Sequence, residues 1–593
     1  MRRSEFFAAC FAAIALIVGA YANSLDNSFH FDDSHVIENN LYIRSLEHIP
    51  RYFTDAYTFS SLPQNATYRP LVSLTLALDY ARGALDPHPY HVTQIAMLLI
   101  CGALLVLFFT PIIGELPALF AATLFCVHTA NTETMNLISA RSELISTIGL
   151  LASFVLYQRS AFARRTLLYL VPLAIGALAK APLVVFAPLL FAYALLLEKK
   201  SLRDAIRTAL PSLILGIALL IFLNSMNAKE WQSGGGSIAS YVITQPFVWL
   251  HYARLFVLPI GLTADSDWTT FAHWYDTRAI AGYAFIALLI FVIRRGPAVV
   301  AFGLTWFAIA LLPTSIFPLA EVVNEHRIFF AYIGLVLVTA TLIRTRTLAI
   351  LAMLLLCIHA FAAHQRNEVW KSEESLWTDV VAKSPGNGRA WMNYGLTQMG
   401  KGECIAAKQS FDHAATLVPN YATLEINLGI VEGELGNDVA AERHFRRALE
   451  LNPDANAHYF YARWLAKRAR APEAIPHIRE AMRRSPASAD IRALASRIDV
   501  ATTAAPSRTW PDYKSAFDAG LAAIRTRDWP AAVEANRAAL THDPKSVDAY
   551  NNLGWSLAQL GFRDEAARAY REGLRLRPND ERLSNNLRLL EKP

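Results

Sequence analysis

Apolar and polar positions divide this 593-residue chain into two halves of different character. From residue 1 to residue 363, long apolar runs follow one another, whereas from 364 onward polar residues predominate and apolar residues recur at helical spacing. An apolar helix of about 20 residues crosses the hydrocarbon core of a bilayer. The pattern therefore predicts an all-α protein, in which 1–363 form a polytopic membrane domain and 364–593 form a water-exposed helical domain.

Eleven apolar runs of the first half are predicted to be membrane spans. They are 6–22, 91–109, 115–131, 141–157, 167–180, 182–197, 208–223, 279–293, 298–315, 328–343 and 347–363. A further apolar stretch, 240–262, contains His251, Arg254 and Pro259. We expect it to form an interfacial or re-entrant helix that does not cross.

The basic residues between these runs predict an orientation. Arg2 and Arg3 precede the first run, and further Arg and Lys residues follow the fourth, sixth, eighth and tenth runs. Because basic loops stay in the cytoplasm, we expect the N-terminus there, with the first run as an anchor rather than a cleaved signal peptide. An odd number of spans then places 364–593 outside. Abundant Arg and Ala indicate a GC-rich bacterial genome, so we expect a multi-pass protein of a bacterial inner membrane with a periplasmic second half.

Prolines of the second half recur with a period of 34 residues, at Pro385, Pro419 and Pro453. Small residues, an aromatic residue and a proline share the same offsets in successive copies: Gly395, Ala407, Phe411, Ala414 and Pro419, then Gly429, Ala441, Phe445, Ala448 and Pro453. This pattern resembles the tetratricopeptide repeat, whose helix pairs stack into an α-solenoid. The predicted organisation is a bridge helix at 364–387, three repeats at 388–488, a linker at 489–512, and two repeats with a C-terminal cap at 513–593.

Three asparagines occupy the same place on the first helix of their repeats: Asn393, Asn427 and Asn552. Aligned amide side chains can hydrogen-bond the backbone of an extended peptide, which makes these residues candidates for binding a protein or peptide acceptor. Ordinary polarity of a helix surface explains them equally well.

Composition excludes several other classes of protein. The net charge is only +6 and the basic residues are scattered or lie beside apolar runs, so nucleic-acid binding is not expected. Five cysteines without a paired spacing exclude a disulfide framework, and neither zinc nor P-loop motifs occur. We therefore predict no cofactor and assign no metal ligands, although dependence on a divalent metal stays open.

Ionisable residues close to the membrane collect on the predicted outer side, where they are candidates for function because an unpaired charge near lipid is costly. Asp32 and Asp33 follow the first span by about ten residues. Two adjacent carboxylates beside a membrane are suited to general-base catalysis, since each raises the pKa of the other. A solvated acidic turn or a helix cap is the alternative explanation.

Several segments match, in order, the motifs of one family of membrane proteins. They are NSFHFDDSHVIENN at 27–40, TYRPL at 67–71, VHTANTETMNLISARSEL at 127–144, LAKAPLVVFAPL at 178–189 and NEHRIFF at 324–330. Together with the repeats, they resemble the transmembrane and tetratricopeptide repeat-containing proteins of the GT-C superfamily of glycosyltransferases. The resemblance covers nearly the whole chain, with two departures: Ala181 stands where the family usually has an acid, and His326 stands between the acid and the arginine of the last motif.

The resemblance implies transfer of a sugar from a polyprenyl phosphate, with inversion, to an acceptor hydroxyl on the non-cytoplasmic side of a lipid membrane. It places the catalytic acids at Asp32 and Asp33. The implied donor-binding residues are His128, Glu133, Glu325 and the cations Arg69, Arg141, Lys180 and Arg327. Two of these have structural alternatives: Lys180 can extend to the interface, and Arg141 can pair with Glu133 or Glu143.

Two functions other than catalysis remain open. A polytopic anchor can present the repeats as a non-catalytic scaffold for pilus assembly or polysaccharide export, and such a scaffold does not need the acidic pair. A transporter can use charges along its pathway. The charges here avoid the middle of the predicted spans, and no inverted halves with a discontinuous central site are visible.

Overall fold

The computed structural model describes residues 3–180, 184–228, 237–485, 488–498, 510–560 and 562–591. Within these ranges all regular secondary structure is helical, which confirms the predicted fold class. The chain divides into two compact units, Met1–Ala390 and Trp391–Pro593.

Seven helices of the first unit are long and apolar enough to cross a membrane, among the described residues. They are Arg3–Asp26, His88–Ile113, Ile138–Arg159, Leu202–Met226, Thr277–Arg295, Ala298–Ile316 and Arg346–Trp370. They indicate a multi-pass membrane protein. The predicted number of eleven spans is not confirmed.

The four remaining predicted spans form helices that are too short. They are Glu115–Val127, Leu170–Ala177, Phe186–Leu196 and Tyr332–Ala340. At about 1.5 Å per residue, none of them covers the roughly 30 Å of a hydrocarbon core. These four runs were predicted to be membrane spans, and that prediction is not confirmed because their helices end too early. The stretch 240–262 forms a separate helix, Ile238–Val257, which is not among the seven.

The loop that follows the first span folds around its own small core. Its short helices are Ala22–Asp26, Ser34–Glu38, Tyr42–Arg44, Leu46–His48, Ile49–Tyr52, Ala56–Thr58 and Pro63–Asn65, followed by the longer Pro70–Gly83. Val36, Ile37, Tyr52 and Leu76 are buried together in this core. The loop is therefore a rigid cap on the membrane helices, which gives its polar residues fixed positions.

A network of buried amides ties this loop to the last long helix. Asn27 donates to Asn136 Oδ1 at 2.6 Å, and Asn136 donates to Asn367 Oδ1 at 2.9 Å. Asn367 in turn donates to the carbonyl of Ala20 at 2.9 Å. The predicted bridge helix is broken after Asn367: a 3-10 turn, Glu368–Trp370, separates it from the helix Glu373–Lys383.

The second unit consists of helix pairs at the predicted repeat positions. The pairs are Gly388–Gly400 with Cys404–Leu417, Ala422–Glu434 with Asp438–Leu451, Ala455–Lys467 with Ala471–Arg484, Tyr513–Arg525 with Trp529–His542, and Val547–Gln559 with Arg563–Leu576. Glu581–Glu591 follows the last pair. The first ten residues of the predicted linker instead form a helix, Ala489–Ile498, because Ile491 and Leu494 are buried in the repeat core. Residues 499–509 of that linker lie outside the described residues.

The repeat glycines mark close contacts between the two helices of a pair, as the period predicted. A Cβ atom at Gly429 would lie 2.9 Å from the ring of Phe445, and one at Gly554 would lie 2.5 Å from the ring of Tyr570. Both aromatic rings are buried. The small residue therefore makes room for the aromatic residue one helix away.

We expect Gly429→Ala to loosen its repeat by about 1–3 kcal/mol, because the added methyl group overpacks the contact with Phe445. Hydrogen–deuterium exchange of the full-length protein should then show faster exchange in Ala422–Glu434. The matched control is Gly400→Ala, whose Cβ would meet nothing within 4 Å and should leave that helix unchanged. Equal exchange in the two variants would contradict the packing role of Gly429.

Candidate functional site

The acidic pair lies on a strained turn that directs its two side chains to different surroundings. Phe31 adopts the left-handed conformation, with φ of 51°, which is unfavourable for a bulky residue. Its ring packs against Trp377, with ring centroids 5.1 Å apart, and against Trp370 at 6.2 Å. Such strain persists only where the surrounding contacts impose it. The turn is thus held in place by the segment that follows the last long helix.

Asp33 is fully buried and binds backbone groups. Its carboxylate accepts hydrogen bonds from the backbone N–H of Ser139 at 2.7 Å, of Ile138 at 3.2 Å and of His30 at 3.3 Å. Burial raises the pKa of Asp33 to about 6, although these donors favour the ionised form. Asp33 therefore joins the first loop to the turn before the helix Arg141–Arg159, and none of it faces solvent.

Asp32, in contrast, leaves 68% of its side chain exposed. Its Oδ1 lies 3.4 Å from Nε2 of His35. Desolvation alone would raise the pKa of Asp32, but His35 and then Arg69 more than offset it, so the pKa is lowered. Asp32 is thus an accessible, ionised carboxylate.

Three of the predicted donor-binding cations are close enough for their charges to interact, and one of them, Arg69, also acts on Asp32. Arg69 lies over the ring of Phe59, 5.1 Å from its centroid, and has no carboxylate within ion-pair distance among the described residues. Lys180 pairs with Glu143, and the charges of Arg69 and Arg327 both repel it. The cations therefore come from three separate segments, and of the three only Arg69 has no carboxylate within ion-pair distance among the described residues.

Arg327 completes this group while remaining largely buried itself. Its Nη1 donates to the carbonyl of Glu321 at 2.7 Å, and its Nη2 lies 3.5 Å from the Glu321 carboxylate. Glu321 also binds Arg389, so its charge is divided between two guanidinium groups. We call Asp32, Arg69, Lys180 and Arg327 together the outer charge cluster.

Two other predicted residues lie away from the outer charge cluster. Arg141 is fully buried, and its partner is Asp79 at 2.5 Å rather than Glu133 or Glu143 as the sequence suggested. It also donates to Gln94 Oε1 at 3.0 Å. Because its donors face other buried groups, no part of Arg141 is exposed to a ligand.

His128 is buried as well. Its Nε2 lies 3.0 Å from the carbonyl of Phe256, and its ring stacks on the ring of that residue. Its Nδ1 accepts a hydrogen bond from the backbone N–H of Ala130 at 3.3 Å. His128 therefore orients the chain at the end of Glu115–Val127, and it is buried rather than presented to a ligand as a donor-binding residue would be.

Glu133 and Glu325, the two glutamates predicted to bind the donor, are both buried. Glu325 accepts a hydrogen bond from the backbone N–H of Thr263 at 2.6 Å. Glu133 binds Nδ1 of His326 at 2.8 Å. Burial raises the pKa of both carboxyl groups well above the usual range, while the nearby Arg366 partly opposes the rise.

Two residues that contact this site were not among the predicted ones: His35 and His326. His35 stands three positions after Asp32, so a tight turn brings the two side chains together, and this spacing was the available signal. His326 meets Glu133 only through the fold, although its place between Glu325 and Arg327 set it apart. Among the described residues, no group of three or more His, Cys, Asp or Glu side chains is arranged to hold a metal ion.

The three asparagines of the repeats lie on the first helices of their pairs, as predicted. Asn427 is buried, and its amide nitrogen has no hydrogen-bond partner among the described residues. Asn393 and Asn552 are partly exposed.

Comparison with known proteins finds similarity to both halves of the chain. The tetratricopeptide repeat family matches residues 427–489 and 517–581. A protein O-mannosyl-transferase of Caenorhabditis elegans is 23% identical over 69% of this chain and 62% of its own length. The protein O-mannosyl-transferases TMTC3 of Homo sapiens and Tmtc3 of Drosophila melanogaster are 23% and 24% identical, over 74% and 76% of this chain and 55% and 59% of their lengths.

These similarities establish distant homology to the transmembrane and tetratricopeptide repeat-containing O-mannosyl-transferases, which confirms the resemblance seen in the motifs. The chain spans only about 54–62% of the length of the curated relatives it matches over most of its own length.

The different surroundings of the two acids lead to a direct stability test. We expect Asp33→Asn to lower the free energy of unfolding by about 1–3 kcal/mol, because the amide NH₂ would face backbone N–H donors that the carboxylate now satisfies. Asp32→Asn, which changes an exposed side chain, should unfold like the wild type. Thermal unfolding of the purified protein in detergent measures both. A loss of stability in Asp32→Asn alone would reverse the assignment.

Proposed function

We propose that this protein is a membrane glycosyltransferase that moves a sugar from a polyprenyl phosphate to a hydroxyl group of a protein acceptor. The observation that carries the proposal is the exposed, ionised Asp32 beside Arg69, a cation with no carboxylate within ion-pair distance among the described residues. A base and an anion-binding group together are what this reaction requires. Distant homology to O-mannosyl-transferases supports the reaction class, and it favours mannose as the sugar.

In the proposed reaction, the Asp32 carboxylate takes the proton of the acceptor hydroxyl. The acceptor oxygen attacks the anomeric carbon from the face opposite the phosphate, so the configuration inverts. The bond between the anomeric carbon and the phosphate oxygen breaks, and its electron pair stays on the phosphate. The products are the glycosylated acceptor, protonated Asp32 and a lipid phosphate with one additional negative charge.

Arg69, Lys180 and Arg327 bind the phosphate in this proposal and stabilise the charge that develops on it. Arginine presents two N–H groups to one phosphate, and lysine adds a compact charge. Arg69 is the principal ligand, since it has no competing carboxylate partner among the described residues. We leave out Arg141 and His128 because both are buried away from the outer charge cluster.

An apolar groove of about 480 Å³ suits the isoprenoid tail of the donor. It lies between Phe186–Leu196, Leu202–Met226 and Ala298–Ile316, and Val184, Phe191, Leu210 and Leu312 contribute to its walls. Its first residue, Val184, follows Lys180 closely along the chain. A tail in this groove would bring the phosphate towards the lysine.

The repeats recruit the acceptor in this proposal, and the partly exposed Asn393 and Asn552 bind its backbone, whereas Asn427 is left out because it is buried. The match to the tetratricopeptide repeat family supports protein binding as the role of this unit. The predicted orientation places both Asp32 and the repeats on the periplasmic side of a bacterial inner membrane. Donor and acceptor would then meet outside the cytoplasm.

The chemical step is tested by Asp32→Asn. We expect sugar transfer from polyprenyl phosphate mannose to serine- and threonine-containing peptides to fall by about 10²–10⁴-fold, because the variant lacks the proton acceptor. The matched control is Asp26→Asn, which changes a first-loop carboxylate that is 88% exposed. A wild-type rate in Asp32→Asn, at normal protein levels, would favour a non-catalytic scaffold instead.

Donor binding is tested separately by Arg69→Gln. We expect binding of polyprenyl phosphate mannose to weaken by about tenfold or more, since a charge-assisted hydrogen bond is worth about 1.5–3 kcal/mol. Titration of the detergent-solubilised protein with fluorescent donor lipid measures this affinity. Arg44→Gln removes a first-loop arginine that donates to the carbonyl of Glu38 and serves as the control. Equal affinities of both variants would exclude Arg69 as a phosphate ligand.

A further inference from the structure

His326 joins a buried carboxyl group to the outer charge cluster. Its Nδ1 lies 2.8 Å from Oε1 of Glu133. The side chain of Glu133 is 3% exposed, whereas that of His326 is 26% exposed. The two residues come from different elements, the short helix Thr132–Asn136 and the 3-10 turn Glu325–Ile328. The imidazole therefore has one nitrogen in the interior and one that remains available to a ligand.

The surroundings of the pair decide which residue holds the shared proton. Burial raises the pKa of Glu133, and Arg366 and Arg327 only partly oppose this rise. Burial lowers the pKa of His326, and so do Lys180 and Arg327, against the smaller opposite effects of Glu321 and Asp32. The neutral carboxylic acid beside a neutral imidazole is thus the favoured state.

This state fixes the tautomer of the imidazole. A protonated Glu133 donates its O–H to Nδ1, so the ring carries its own proton on Nε2. Nε2 has no hydrogen-bond partner among the described residues. The ring is close enough to Lys180, Arg327 and Asp32 for their charges to act on it. An uncharged N–H donor therefore stands among the groups proposed to bind the donor phosphate.

We propose that His326 is a further catalytic residue that donates a proton from Nε2 to the departing lipid phosphate, with Glu133 as the residue that replaces this proton. This inference rests on the proposed function. As the bond to the anomeric carbon breaks, the phosphate oxygen keeps the electron pair and receives the Nε2 proton. The Glu133 proton moves to Nδ1, which leaves Glu133 as a carboxylate. Asp32 meanwhile holds the proton of the acceptor, so protons and charge balance, and exchange with water restores both acids.

The relay gives transfer a defined pH dependence. The reactive form requires the proton on Glu133, which is present below the pKa of that group and lost above it. The transfer rate of the wild type should therefore fall as the pH rises into the alkaline range. Burial lowers the pKa of Lys180 to about 7, so loss of its charge also slows transfer as the pH rises; only the part of the fall that disappears in variants of His326 reports the relay.

Two substitutions of His326 separate hydrogen bonding from proton transfer. His326→Asn keeps a polar group near Nδ1 but has none at the position of Nε2, whereas His326→Gln retains an N–H donor near Nε2 that cannot relay a proton. With saturating polyprenyl phosphate mannose and the same peptides, we expect His326→Asn to lower the transfer rate by about a hundredfold or more. His326→Gln should lose less, and both variants should lack the part of the alkaline fall that is due to the relay.

His88→Gln, which changes a half-exposed histidine outside the outer charge cluster, is the control and should retain both the rate and the pH profile of the wild type. Melting temperature and donor affinity verify that each variant is folded. If the wild type transfers mannose and His326→Asn transfers it at the same rate, the relay is wrong, but the proposed function stands. A folded wild type that binds donor but transfers no mannose would overturn the proposed function and the relay with it.

Discussion

The buried carboxylate of Asp33 is the contact on which the site depends. By accepting hydrogen bonds from three backbone N–H groups, it fixes the loop that follows the first span against the turn that precedes Arg141–Arg159. Two tryptophan rings hold the strained backbone of Phe31 on the other side of the same turn. Asp33 is turned inward, whereas its neighbour Asp32 leaves most of its side chain exposed. Asp33 thus stabilises the turn, and Asp32 remains accessible.

The balance of charges around Asp32 determines what the site can bind. The lysine and the two arginines of the outer charge cluster come from different segments; Lys180 pairs with Glu143, Arg327 shares Glu321 with Arg389, and Arg69 has no carboxylate within ion-pair distance among the described residues. Mutual repulsion among cations costs free energy in the unliganded state, and a bound phosphate would relieve it. Burial, followed by the charges of Lys180 and Arg327, lowers the pKa of His326, which keeps its ring uncharged. The binding and proton-donating roles proposed for these residues therefore arise from one arrangement.

Local patterns predicted the parts of the molecule that depend on neighbours in sequence. The repeat period gave the contact of Gly429 with Phe445, since both positions belong to one helix pair. The apolar runs predicted a multi-pass membrane protein. They did not predict the number of spans, because the length of an apolar run does not show where its helix ends. These patterns could not predict contacts between residues that are distant in sequence. Nothing local links Arg141 to Asp79, or Glu133 to His326, and only the packed helices bring them together.

The most direct test is a cryo-electron microscopy structure of the protein in lipid nanodiscs with a non-transferable analogue of polyprenyl phosphate mannose. The account predicts that the phosphate density touches Arg69, Lys180 and Arg327, that the anomeric carbon faces Asp32, and that the isoprenoid tail follows the groove beside Phe191. Density for the analogue at another place, with the outer charge cluster empty, would contradict it.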